Sequence, residues 1–288
     1  MIESFFSSWD LFHNTWLAGW LIGLALSFVG VLVVAKDQIF IGAAVSQASA
    51  LGIALAMWTA SLVGGGAAGW LVSDSGLSLM AVVFSMAAAL VTSFAGAEVR
   101  ESHEAVTGWI FLVSASVSVL VLSHSPHGLE EVHRLISSSI IGATDWDVRV
   151  FSALVAGSVL IIMLGNRVIL LLTMDAPTAS ALGVRVGLWS AGLAVWLGLS
   201  VGLSIRVSGM LYTFGFLVLP ALVAKNLCRE VRPMFIVAPL VSLVAGVSGF
   251  VLADHWDFPP GQMTVALLAG MLPLAWGLRG LIALLADK

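Results

Sequence analysis

Apolar residues in this chain do not alternate with polar ones but run on for stretches near twenty residues, divided by short polar connectors. Nine such stretches stand out, at 16–35, 46–72, 77–95, 106–123, 148–172, 187–203, 209–225, 235–253 and 264–278. A helix of about 20 residues crosses the roughly 30 Å hydrocarbon core of a bilayer. Backbone groups find no water in lipid, so such stretches must bond their own N–H and C=O groups as helices. The pattern predicts an all-α, polytopic transmembrane helical bundle forming one domain over 1–288, with nine spans; eight and ten are the neighbouring counts. The second stretch is long and holds Gly64, Gly65 and Gly66, which predicts a kink or a split.

Composition agrees with that reading. The 288 residues are 60% hydrophobic and 10% charged, against about 45–50% and about 25% in soluble domains. A net charge of −4 gives no electrostatic reason to expect nucleic acid as a partner; the expected surroundings are lipid. Cys228 is the single cysteine, which excludes an internal disulfide and a cysteine-based metal cluster. The N-terminal segment 1–15 carries Glu3 and Asp10 and no basic run, so the first helix is expected to direct insertion and stay.

Basic residues set the orientation. Placing the loops around Lys36, Arg100, 167–185, 225–232 and the C-terminus on one side collects nine of the twelve basic residues there. Arg134, Arg149 and Arg206 remain opposite. The C-terminus is therefore expected in the cytoplasm and, with nine spans, the N-terminus outside.

Two polar connectors carry chemistry. At 173–186, Asp175 is placed to cap a short helix with Pro177 in its first turn, and Gly183 to end it. One face would hold Ala179, Leu182 and Val186, with Asp175 and Arg185 near the ends. This segment reads either as a docking element for a cytoplasmic partner or as an ordinary connecting turn. The outer loop at 124–147 collects His124, His127, Glu130, Glu131 and His133, followed by Asp145 and Asp147. Imidazole and carboxylate together suit divalent transition metals. The same loop also reads as a solvated amphipathic segment with Leu129, Val132 and Ile136 on the membrane surface, because its spacing fixes no tetrahedral site.

Enzyme signatures are missing. No lysine follows a glycine, so there is no phosphate-cradling G-x-x-x-x-G-K-[ST] loop, and no G-x-S-x-G elbow occurs. A transported solute, with no catalytic residue, is the expectation.

Four stretches make the chain resemble the permease family of ABC importers for zinc, manganese and iron. They are 42–55 (GAAVSQASALGIAL), 104–111 (EAVTGWIF), the 174–186 connector, and 206–224, which contains Leu217-Val-Leu-Pro-Ala221. Asp257-Phe-Pro-Pro-Gly261 before the last helix also matches. The resemblance implies a type II importer-like permease of the cytoplasmic membrane, paired with a second permease chain in a homo- or heterodimer. It further implies two ABC ATPase subunits docked on Asp175, Ala179, Leu182, Gly183 and Arg185, with ATP used only by those subunits. An extracytoplasmic binding protein would deliver a divalent ion, zinc or manganese and then iron. The family usually writes Gly-Asp-x-x-Ser-His-Ala in the second span, and this chain has Ala43 and Gln47 where the Asp and His stand. Ser46, Gln47 and Ser49 remain as polar pathway candidates, and Asp254, His255 and Asp257 as substitutes near the outer mouth. The departure leaves open a chelate or other small solute as cargo, or a heterodimer whose partner supplies the ligands.

Overall fold

The computed structural model describes residues 9–63, 65–98, 102–123 and 140–286, and among them all regular structure is helical. The elements are α1 (Trp9–Ala35), α2 (Phe40–Val63), α3 (Gly65–Val72), α4 (Asp74–Glu98), α5 (His103–Leu122), α6 (Asp145–Met174), α7 (Ala176–Ala181), α8 (Val186–Leu227), α9 (Val231–Trp256) and α10 (Pro260–Ala286). Eight of these, all but α3 and α7, are long and apolar enough to cross a membrane.

The nine expected stretches fall in eight long helices for one reason. The stretches at 187–203 and 209–225 lie in a single 42-residue helix, α8. At about 1.5 Å per residue, α8 would measure about 63 Å if straight, twice a hydrocarbon core. It is not straight, because Gly209 interrupts it with φ 73° and ψ 174°, a backbone conformation open mainly to glycine. Each half is long enough for one crossing. The expected kink or split at Gly64-Gly65-Gly66 turns on Gly64, which lies outside the described residues; α2 is described to Val63 and α3 from Gly65.

The chain divides into two compact units. The first comprises Met1–Asp37, Ser139–Asp175 and Leu211–Lys288. Here α1 and the second half of α8 run side by side in the same direction. Tyr212 Oη donates to the Gly19 carbonyl at 3.0 Å, a methyl on Gly23 would meet Phe216, and one on Gly30 would strike the Leu217 carbonyl oxygen. At the far end Lys225 Nζ reaches the Asp37 carboxylate at 2.5 Å and the Val34 carbonyl at 3.4 Å. α9 returns antiparallel, with Phe250 against Gly19 and Trp20, and α10 reverses again, bringing Arg279 Nη1 within 3.4 Å of Asn226 Oδ1. Lys225, Arg229 and Arg279 thus gather at one end of this unit. Small residues make such close helix approaches feasible where water exclusion cannot drive association.

The second unit comprises Gln38–Ser138 and Ala176–Met210. In it α4 packs against α2 and against the first half of α8. Methyl groups on Gly52 and Gly198 would collide with the Met80 and Met86 backbones, and Ser85 Oγ donates to the Gly198 carbonyl at 2.7 Å. Arg206 Nη1 lies 3.3 Å from Asp74 Oδ1. Asp74 is exposed, so this ion pair adds little stability.

Candidate transport site and docking connector

α2 supplies the first candidate site. Between Ile41 and Ala54 every residue is buried except Ala43 and Gln47, which stay partly accessible. Four residues apart, they share one helix face. Gln47 Nε2 donates to Met210 Sδ at 3.3 Å, and Met210 directly follows the Gly209 break. The accessible strip therefore offers an amide and a thioether with no ionisable group of its own. A thioether is a soft donor and a carboxamide oxygen a weak, hard one.

The three pathway candidates separate. Gln47 lies on the accessible strip. Ser46 and Ser49 are fully buried, and neither hydroxyl has a hydrogen-bond partner among the described residues. An unbonded buried hydroxyl costs about 1–3 kcal/mol. The structure encloses both serines in the packed interior of α2. Met210 has no signal in the sequence; what sets it apart is the backbone of Gly209 beside it.

The outer-loop candidates His124, His127, Glu130, Glu131 and His133 lie outside the described residues. Of the two acids that follow, Asp147 has a structural task. Its Oδ2 accepts from the Thr144 amide at 2.9 Å while its own amide donates to Thr144 Oγ1 at 3.3 Å, a capping box that starts α6. Asp254, His255 and Asp257 sit at the end of α9, where Asp257 is the left-handed C-cap and His255 packs beside Trp256. Among the described residues no group of three His, Cys, Asp or Glu side chains could hold a metal ion.

The 173–186 connector is folded as its sequence suggests. Asp175 ends α6, and α7 follows at once. Gly183 takes φ 81°; its amide donates to Ser180 O and that of Val184 to Ala179 O, both at 3.0 Å. That pair of bonds is the Schellman closure, which a glycine completes without strain. The expected docking face, however, is divided. Ala179 has 0% of its surface exposed, whereas Leu182 has 69%. Leu182 and Arg185, both exposed, with Asp175 exposed at the other end, form the surface that remains.

Comparison with known proteins places this architecture. The chain is 23% identical over 249 residues to the chelated iron transport system membrane protein YfeD of Yersinia pestis, covering 86% of this chain and 78% of that one. It is 21% identical over 267 residues to the manganese transport system membrane protein MntB of Synechocystis sp., covering 92% and 81%. Among solved structures, PsaBC from Streptococcus pneumoniae in complex with Fab superposes with a TM-score of 0.78 at 19% identity, over 96% of this chain and 95% of that one. The model of the ABC 3 transport family matches residues 8–276, nearly the whole helical body, and the chain belongs to that family.

Proposed function

We propose that the chain is the membrane subunit of an ATP-driven importer of a transition-metal ion in the cytoplasmic membrane. The observation that carries the reading is the family match across 8–276. Manganese and iron come ahead of zinc, since the relatives above are named for manganese and for chelated iron. Two ATPase subunits dock on the connector through Leu182 and Arg185. A binding protein presents the ion at the opposite membrane face, and the basic end with the C-terminus faces the cytoplasm.

Alternating access is a two-state equilibrium that nucleotide binding at the ATPases biases. Gly209 and Gln47 lie where such a change would reach the pathway. Because Ala43 and Gln47 present no anionic ligand, a second permease chain completes the ion's coordination as it passes. A weak site of this kind suits transit, since an ion held too tightly does not leave.

Reconstitution of the permease with its ATPase and binding protein in liposomes, with radiolabelled manganese, iron and zinc, tests the assignment. ATP-dependent accumulation of one of these ions is expected. Nucleotide-independent leakage alone, or no uptake of any of them, overturns it.

A further inference from the structure

We propose that the cavity at the basic end of the first unit binds an anionic phosphate group, presented by the headgroup of a membrane phospholipid. Its volume is about 590 Å³, within the roughly 300–1,000 Å³ of small-molecule pockets. The lining includes Lys225, Arg229 and Arg279, with Asn226 between them. Among the described residues Glu230 is the one carboxylate of the lining, and cations there outnumber anions three to one. Asp37 already answers Lys225, which leaves the two guanidinium groups with Glu230 as their only carboxylate in the lining. Guanidinium presents a planar fork of donors that matches phosphate oxygens.

A separate observation points to the same ligand. The 26-residue helix α9 begins in this cavity, with Glu230 as N-cap and Val231 in the lining. Glu230 makes no side-chain capping bond. The first-turn amides of a helix carry a partial positive charge and are a ready anion site when no side chain occupies them. Pro233 in that turn has no N–H, so the Val231 and Arg232 amides are the donors offered. Cavity, arginines and uncapped helix end converge on one anion.

The phosphate has two available sources, a phospholipid headgroup and free phosphate. The cavity lies at the end of a bundle of spanning helices, level with the exposed side chains of Lys225, Arg229 and Arg279. Basic pockets between membrane helices at that depth bind anionic headgroups, each Lys or Arg contributing about a fivefold change in binding. The lipid source is the one proposed.

Cys228 lines the cavity and is the only cysteine, so its alkylation rate reports occupancy in the full-length protein. Wild-type protein in nanodiscs of phosphatidylcholine, or of phosphatidylcholine with phosphatidylglycerol, is labelled with a maleimide; a third sample in detergent receives inorganic phosphate. Slower labelling with phosphatidylglycerol alone is expected. Protection by inorganic phosphate to the same degree overturns the lipid source, and equal rates in all three samples overturn the site. As a second measurement, anionic phospholipid retained through purification is quantified for Arg229→Gln, Arg279→Gln and the double variant, with Arg167→Gln as a control outside the cavity. Retention should fall about fivefold for each arginine removed and about 25-fold for both. Losses equal to that of the control overturn the proposal.

Discussion

Replacing Gly30 by alanine places a methyl group between two backbones that already touch. The added Cβ would strike the Leu217 carbonyl oxygen and lie 2.9 Å from the Leu217 carbonyl carbon. Ordinary carbon–carbon contact is about 3.5–4.0 Å and the carbonyl oxygen lies nearer still, so α1 and the second half of α8 must part by more than about 1 Å at that level, a gap that forfeits about half of each dispersion contact or more. Val29, Val33, Leu217 and Ala221, all buried around the crossing, lose packing together. The overpacking cost is about 1–3 kcal/mol, partly offset by about 0.5–1 kcal/mol from alanine's better helix propensity. For a chain of this size each kcal/mol moves the thermal midpoint by about 2–4 °C. The measurement is the midpoint for loss of the monodisperse peak after heating in detergent, for Gly30→Ala beside Gly157→Ala in α6. A methyl at Gly157 meets nothing within 4 Å, so that variant should hold its midpoint or rise. A Gly30→Ala midpoint equal to that of Gly157→Ala would refute the claim that this contact sets the approach of the two helices.

Three further outcomes are expected. Leu182→Asp should leave the thermal midpoint unchanged yet weaken ATPase association about tenfold in pull-down titration, whereas Ala179→Asp should lower the midpoint and the yield by burying a carboxylate without a partner. Equal loss of association at unchanged stability in both variants would return Ala179 to the docking surface. Thr144→Ala removes the capping box of α6 and should cost about 1 kcal/mol in thermal unfolding, with no effect if Asp147 alone holds the end. Gln47→His introduces an imidazole on the accessible strip of α2 and should increase ATPase stimulation by manganese or zinc in the reconstituted transporter; unchanged stimulation would place the ion's route away from that strip.

Hydropathy made the long helices legible because lipid leaves the backbone no alternative to helical bonding. It located their ends less well. The second apolar stretch starts at residue 46, yet α2 begins six residues earlier, at Phe40. The fifth was read from 148, yet α6 begins at Asp145, because Asp145 and Asp147 depress apolarity while their carboxylates suit a helix start. The joining of two stretches into α8 could not be read, because Gly209 looks like any other glycine of this chain until its φ is known. At the connector, the turn chemistry of Gly183 was readable and the division between Ala179 and Leu182 was not. A six-residue helix has too few positions for periodicity to say which face its neighbours cover.

The first unit is assembled from three separated stretches, Met1–Asp37, Ser139–Asp175 and Leu211–Lys288. During synthesis α1 therefore enters the bilayer more than a hundred residues before the segments that wrap it, and Gly19 and Trp20 wait longest, for Phe250. No single cut in the polypeptide separates the two units into contiguous pieces. Nascent α1 must be sheltered by lipid or by insertion machinery until late in translation, so a ribosome stalled before residue 211 would leave behind a helix with its best packing surface bare.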